Sequence, residues 1–392
     1  MSLSAKPFDI VVFGASGYTG RLVAEYLAAE YAGSDLKWAM AGRSLEKLAA
    51  VRAEMGISEA VELLAVDVDN PSSVTHMIDT CRVVITTVGP YQLYGDELVK
   101  QCAERGTDYV DLTGEPSWMH ETIAQYSSAA KASGARIVHS CGFDSIPFDL
   151  GVYRLQQHAI AKTGQPIATV KGRVRAMNGT FSGGTIASMR ATMASAKANP
   201  AIIQVLTNPF ALTEGFTGPK QPAGMAPQYD EELKSWSAPF IMAPINTKNI
   251  HRSNFLLGHQ YGEDFRYDEM LLTGDGDQGK AAADYVAKDD SVAKSDLQPG
   301  EGPTKEEREN GNYDAIFAGE TQDGELMISS VQGDRDPGYG STSKMLAEAA
   351  MCLLVNPDLA SGGLWTPAAA MGDALMARLQ EHAGLTFQIE KG

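Results

Sequence analysis

The chain has 392 residues, 44% of them hydrophobic and 21% charged, with a formal net charge of −17 and a pI near 4.8. That length allows two domains, and the acidity excludes nucleic acid as the principal partner, since no broad basic face is offered to phosphates. The four cysteines, Cys81, Cys102, Cys141 and Cys352, are scattered with no CxxC pair and no histidine at metal spacing, so neither a disulfide framework nor a metal site is expected.

The opening MSLSAKPFDI lacks the apolar core of a signal peptide. No stretch is long and apolar enough for an integral membrane segment, and a cytoplasmic location is expected. Strand-like runs then follow at 8–13 (FDIVVF), 36–40, 61–66, 82–88, 108–112 and 136–140. Helix-like segments lie between them at 18–30, 45–55, 71–79, 94–105 and 117–133. Several strand runs are apolar throughout, which suits strands covered on both faces. The alternation predicts an α/β fold, a doubly wound parallel sheet of six strands, over residues 1–150.

After Pro147 the rhythm changes. A strand and turn (ATVKGRVRAMNGTF) lead into a helix entered through glycines (SGGTIASMRATMASAKA), then a Pro- and Gly-rich excursion over 200–235. Strands are predicted at 265–273, 313–319 and 325–331, the last two joined by an Asp323-Gly324 hairpin signal. The segment 274–312 reads as exposed helix and loop, and 341–354 and 366–379 as helices, the second capped by Thr366 with Pro367 in its first turn. A second unit of antiparallel sheet plus helices is expected over 151–340, with C-terminal helices and a short strand (341–392) packing back towards the first.

The first strand breaks into GASGYTG, which places Gly14, Gly17 and Gly20 three apart before a helical pattern. At such a turn one glycine permits the bend and another allows close helix packing. The bare backbone between them can approach a pyrophosphate at the helix N-terminus. Gly14, Ala15, Ser16, Gly17, Tyr18, Thr19 and Gly20 are therefore candidate dinucleotide ligands, in a GxxGxxG variant of the usual spacing. An acid at the end of the second strand would mark NAD, but Arg43 and Ser44 stand there in AGRSLEKL. A guanidinium and a hydroxyl suit a 2′-phosphate, which favours NADP over NAD; Ser44 is equally suited to cap its helix. Asp67 is placed either to meet the adenine edge or to cap the Asn70-Pro71 turn.

Val88, Gly89 and Pro90 close the fourth strand where a nicotinamide ribose would lie. Tyr91, Asp111, Glu115, Asp144 and Ser145 sit at the ends of the fourth to sixth strands. Each is either a catalytic candidate or a packing, turn or capping residue. Of these, Tyr91, Asp111, Asp144 and Ser145 are the chosen catalytic set. His139 reads better as a core residue, and Tyr339, Ser341 and Lys344 reach the crevice only if their helix returns to it. None of the fourteen tyrosines has a lysine four residues later, which argues against short-chain reductase machinery.

Taken together, VVFGASGYTGRL, AGRSLEKL, VGPYQLYGDELVKQCAERGTDYVDLTGE, CGFDSIPFDLG, DRDPGYGSTSKMLAEAA and GGLWTPAAAMGDAL resemble the saccharopine dehydrogenase-like oxidoreductases, including the trans-acting enoyl reductase branch. The resemblance spans the whole chain. It implies a Rossmann domain that binds NAD(P), a second α+β domain, and reduction of either a C=C bond on a lipid-like acyl chain or a C=N bond of an amino-acid imine. GASGYTG is also similar to N-acetyl-glutamyl-phosphate reductases, but their cysteine-bearing GCYPT-type loop is missing. The expectation is thus an NADP-dependent oxidoreductase acting on a small molecule or acyl chain as a homodimer, with a non-catalytic NADP sensor as the rival. Apolar, methionine-bearing stretches at 239–257 and SMRATMASA offer surface for an acyl chain.

Overall fold

The computed structural model describes residues 6–143, 145–180, 182–298 and 300–392, and within them the side chains of all but Val292 and Ala293. Strands β1 (Phe8–Phe13), β2 (Trp38–Gly42), β3 (Glu62–Ala65), β4 (Cys81–Thr86), β5 (Asp108–Val110) and β6 (Arg136–Val138) lie parallel in the order β3-β2-β1-β4-β5-β6. Connecting them are α1 (Tyr18–Glu30), α2 (Leu45–Glu54), α3 (Pro71–Thr80), a single turn α4 (Tyr91–Tyr94), α5 (Asp96–Arg105) and α6 (Pro116–Ser133). The uninterrupted apolar character of β1 has a direct cause. Ile10 and Val12 join the core on the α1 side, while Val11 and Phe13 face α3, α5 and α6.

Beyond α7 (Ile146–Thr163) a second sheet is built from β7 (Thr169–Asn178), β8 (Gln228–Asp230), β9 (Ser235–Pro239), β10 (Arg266–Gly274), β11 (Asn312–Glu320) and β12 (Leu326–Gly333). Helices α8 (Gly183–Ala198), α9 (Pro200–Thr207), α10 (Ala243–Leu256), α11 (Gly276–Val286), α12 (Ser291–Lys294) and α13 (Lys305–Asn310) punctuate it. This sheet is mixed rather than antiparallel, because β7 and β10 pair in parallel, with α10 on the connection between them. The Pro-rich excursion ends in β8, which forms the sheet edge, and β9, which joins it to β10, two short strands that the polar composition concealed.

A π-helical turn (Pro337–Ser341) leads into α14 (Thr342–Val355), then β13 (Gly363–Trp365), α15 (Pro367–His382) and β14 (Leu385–Lys391). Strand β13 adds a seventh parallel strand beside β6, and β14 pairs with β12 at the edge of the second sheet. Helix α14 packs on β4, β5 and α1. The guanidinium of Arg136 fastens this return: it pairs with Asp108 and donates to the carbonyls of Leu353 and Asn356, both at 2.8 Å, at the end of α14. Helix α7 lies between the sheets, so close to β11 that a Cβ on Gly151 would stand 2.0 Å from the Phe317 ring.

Helix α10 begins in the apolar stretch expected there, but much of its length is polar and buried. Asn246, Lys248, Asn249, His251, Arg252, Ser253 and Asn254 are all buried, held by bonds such as Arg252 to the carbonyls of Leu212 and Leu364. Buried carboxylates receive this helix. Asp149 accepts from Ser253 Oγ at 2.5 Å and from the Ala368 N–H at 2.9 Å, and Glu269 accepts from Asn246 at 2.7 Å. Loss of water pushes Asp149 up to about 7 and Glu269 up to about 8. A carboxyl raised on folding favours the native state while it is protonated; that contribution is complete below about pH 4 and lost as pH rises through about 7 to 8. Unfolding free energy from denaturant titrations should therefore fall between about pH 5 and about pH 9, and fall less steeply in Asp149→Asn.

Candidate functional site

The carboxyl ends of the parallel strands meet at one edge, and the glycine turn after β1 sits at its centre. Gly14 has φ +88°, and a Cβ there would meet Thr87 Oγ1 at 2.7 Å and Val88 Cγ2 at 2.9 Å, so both conformation and space require glycine. A Cβ on Gly20 would stand 2.1 Å from the Gly14 carbonyl oxygen, which lets α1 begin against the end of β1. The N–H groups of Gly14 and Ala15 donate to the Ala41 carbonyl, and that of Gly17 to the Gly14 carbonyl at 2.8 Å. Gly17 gives α1 no side-chain cap, and the first turn carries no acid. The leading N–H groups of the helix thus remain open to an anion. A Cβ on exposed Gly17 would approach only the Gly14 carbonyl, at 3.2 Å, and the turn is a backbone cradle of the right chemistry for a diphosphate.

Around the turn, Ser16 lies beside Gly42, and Thr19 lines the cavity described below. Tyr18 is directed elsewhere: its hydroxyl donates to the Pro303 carbonyl and accepts from Arg308 at 3.0 Å. Arg43 is exposed and makes no hydrogen bond or ion pair among the described residues, an unspent guanidinium at the end of β2. Ser44 caps α2, accepting from the Lys47 N–H at 3.2 Å. Asp67 accepts from the Asp69 N–H at 3.1 Å, and the cap of α3 is Asn70. Val88, Gly89 and Pro90 form the corner after β4, with Gly89 on the cavity wall.

The proposed acid-base residues are mostly committed to backbone. Asp111 is fully buried; its carboxylate accepts from the N–H groups of Thr113 (3.0 Å) and Ser140 (2.8 Å), from the Tyr109 hydroxyl (2.9 Å), and lies 2.7 Å from His139 Nδ1. Glu115 accepts from the N–H groups of Tyr91 and Gln92 at 2.9 and 2.8 Å, fixing the turn after Pro90. The Tyr91 ring lines the cavity, stacked on Trp118, while its hydroxyl donates to the Thr86 carbonyl at 3.1 Å. Ser145 is wholly buried at the start of α7, its hydroxyl without a hydrogen-bond partner among the described residues, and it is not among the residues lining the two cavities described below. Asp144 lies outside the described residues.

Between this edge and the second sheet opens a cavity of about 400 Å³. Its floor is the Gly89 corner with Tyr91, Leu112 and Glu115; its roof is α8 with Thr185, Ser188 and Met189. Met193, Leu206, Ile241, Met242 and Ile245 extend it outward as an apolar channel. A smaller chamber of about 70 Å³ shares Leu112, Thr185, Met242 and Tyr339 with it and runs on to Phe143 and Phe240. No lysine or arginine lines either space among the described residues. Thr185, Ser188 and Leu206 were not singled out from the sequence; the entry of α8 through Ser182, Gly183 and Gly184 was the available sign. Burial raises the thiols of Cys102 and Cys141, and all four cysteines are buried and unpaired. Among the described residues there is no cluster suited to a metal ion, and no helix is long and apolar enough to cross a membrane.

Residues 10–138 match the model of the saccharopine dehydrogenase NADP binding domain. Over 99% of both chains, the sequence is 40% identical to a Mycobacterium tuberculosis protein provisionally named a trans-acting enoyl reductase. It is 34% identical, over 97% of both chains, to a trans-acting enoyl reductase of Mycobacterium bovis. Among solved structures, saccharopine dehydrogenase (L-Glu forming) from Saccharomyces cerevisiae shares the fold, with a TM-score of 0.55 at 12% identity, covering 97% of this chain and 99% of that one.

The Asp111 carboxylate is surrounded by donors, so replacing one oxygen by an amide leaves two donors face to face. Asp111→Asn should lower the unfolding free energy by about 1–3 kcal/mol, read by denaturant titration.

Proposed function

The chain belongs to the trans-acting enoyl reductase family of saccharopine dehydrogenase-like oxidoreductases, and from that premise we propose that it reduces a carbon–carbon double bond conjugated to the carbonyl of an acyl chain, using NADPH. The observation that carries this choice over an amino-acid imine is the lining of the cavity. It is apolar, rich in methionine, and has no basic side chain among the described residues to receive a substrate carboxylate. An extended hydrocarbon fits such a channel.

In this reading, residues 1–150 hold the cofactor, 151–340 shape the substrate side, and 341–392 bind the two together. The turn from Gly14 to Gly20, with Ala15, Ser16, Gly17, Tyr18 and Thr19, presents main-chain N–H groups to the diphosphate. Arg43 and the Ser44 hydroxyl receive the 2′-phosphate, and Asp67 borders the adenine. Val88, Gly89 and Pro90 support the nicotinamide ribose at the cavity floor. When bound, the cofactor supplies a hydride. The protein's own share is to align the acyl group over the Gly89 corner, exclude water with Met189, Met242 and Ile245, and deliver a proton. Asp111 and Glu115 act as positioning residues that fix the loops carrying the floor. Tyr91 presents its ring to substrate.

The same reading covers a cytoplasmic homodimer. Four unpaired thiols suit a reducing compartment. The second sheet carries partly exposed ion pairs, Arg175–Asp314 and Arg175–Glu390, so the expected pairing of copies is polar in character and is read by sedimentation.

Fluorescence titration with NADPH and its oxidation against enoyl thioesters, imines and ketones test the function. Turnover with the thioesters alone is expected; turnover confined to imines, or failure to bind NADPH, overturns the reading. Gly17→Asp should abolish binding by placing a carboxylate where the diphosphate sits. Arg43→Ala should weaken NADPH by about 10- to 100-fold, the loss of a charge-assisted bond, and leave NADH nearly unchanged.

A further inference from the structure

Resting on the reductase reading above, we propose that Tyr339 is the catalytic residue that donates the proton to the acyl chain, with Thr185 relaying its replacement. Tyr339 sits in the π-helical turn before α14 and lines both the larger cavity and the smaller chamber. Its phenol oxygen accepts from the Ser182 N–H and lies 2.8 Å from Thr185 Oγ1, a hydroxyl that also borders both spaces. One turn further along α8, Ser188 faces the nicotinamide corner, since a Cβ on Gly89 would come within 3.8 Å of its Oγ. The hydroxyl pair therefore stands on the roof of the cavity, opposite the floor assigned to the hydride donor. Among the described residues, the other titratable groups lining the larger cavity are Glu115, whose carboxylate accepts from two main-chain N–H groups, and Tyr91, whose hydroxyl donates to the Thr86 carbonyl.

The turn is held rigidly. Asp336 accepts from the N–H groups of Tyr339 (3.0 Å) and Gly340 (2.7 Å), and the Tyr339 ring meets Tyr18 edge to face at 5.1 Å. Among the described residues, the charged and titratable groups around Tyr339 include Asp336 on its own turn, Tyr18 on α1, and Arg21 and Arg308 beyond the Tyr18 ring. A main-chain N–H aimed at the phenol oxygen stabilises the phenolate left by proton transfer.

The step balances. Hydride reaching the β-carbon frees the π pair towards the α-carbon, which takes the proton from Tyr339 Oη. The C=C bond is reduced and the nicotinamide oxidised. Once product leaves and the cavity opens, the phenolate takes a proton from Thr185 Oγ1 as that hydroxyl takes one from hydronium or buffer acid in bulk solvent, so the one proton consumed comes from solution.

Tyr339→Phe keeps the ring against Tyr18 and removes only the hydroxyl. Expected are a fall in kcat of about 100-fold or more, the contribution of a general acid, an unchanged NADPH dissociation constant, and loss of the alkaline limb of the kcat–pH profile. Thr185→Val should slow turnover less and keep that limb. A Tyr339→Phe enzyme with kcat near wild type, or with the alkaline limb intact, overturns the proposal while the reductase reading stands. A wild-type protein that binds NADPH yet reduces no enoyl thioester overturns both.

Discussion

The approach of α1 to β1 is the contact on which the rest of the site depends. With no Cβ at Gly20, the helix begins against the Gly14 carbonyl, and its first-turn N–H groups emerge at the edge of the sheet. Any side chain at Gly20 would push the helix off the strand, because the obstructing atom is backbone and cannot rotate away. Gly14 in turn has Thr87 and Val88 against it, so the turn proposed to hold the diphosphate and the corner proposed to support the nicotinamide are packed on each other. In that reading, a diphosphate placed by the first fixes where a ring can lie over the second.

A different economy governs the strand ends. Asp111, Glu115, Asp149 and Asp336 are carboxylates at loop or helix starts, and each accepts from main-chain N–H groups. These bonds stiffen the edge of the crevice. In the proposed mechanism the reacting side of the cavity is left to hydroxyls and apolar groups, a surface compatible with a hydrocarbon and poor at holding a zwitterion.

The six strands β1 to β6 were legible because they fall in local runs joined by local helices; the glycine turn was legible because its spacing and flanks lie within twenty residues. The commitments of the polar residues were not. Nothing in DLTGE shows that Glu115 will meet the N–H groups of Tyr91 and Gln92, and the pairing of Thr185 with Tyr339 joins positions 154 apart. Strand β13 has only three residues, Gly363–Trp365, and lies between two helices far from the strand–helix rhythm of the sheet it joins. Helix α10 was only partly legible: Ile245 does reach the cavity, but the burial of its cations, Lys248 on the Leu206 carbonyl and Arg252 on those of Leu212 and Leu364, depends on partners distant in sequence.

Strands β13 and β14 come from the last thirty residues, yet each completes a different sheet. The Arg136 clamp on the end of α14 likewise reaches a partner 220 positions downstream. During synthesis, then, the nucleotide-binding half leaves the ribosome with one sheet edge unpaired, and it stays so until nearly the whole polypeptide has emerged. The two halves cannot mature in sequence as independent modules; a ribosome stalled late leaves both edges bare at once, the circumstance in which holdase chaperones matter most to a protein of this size.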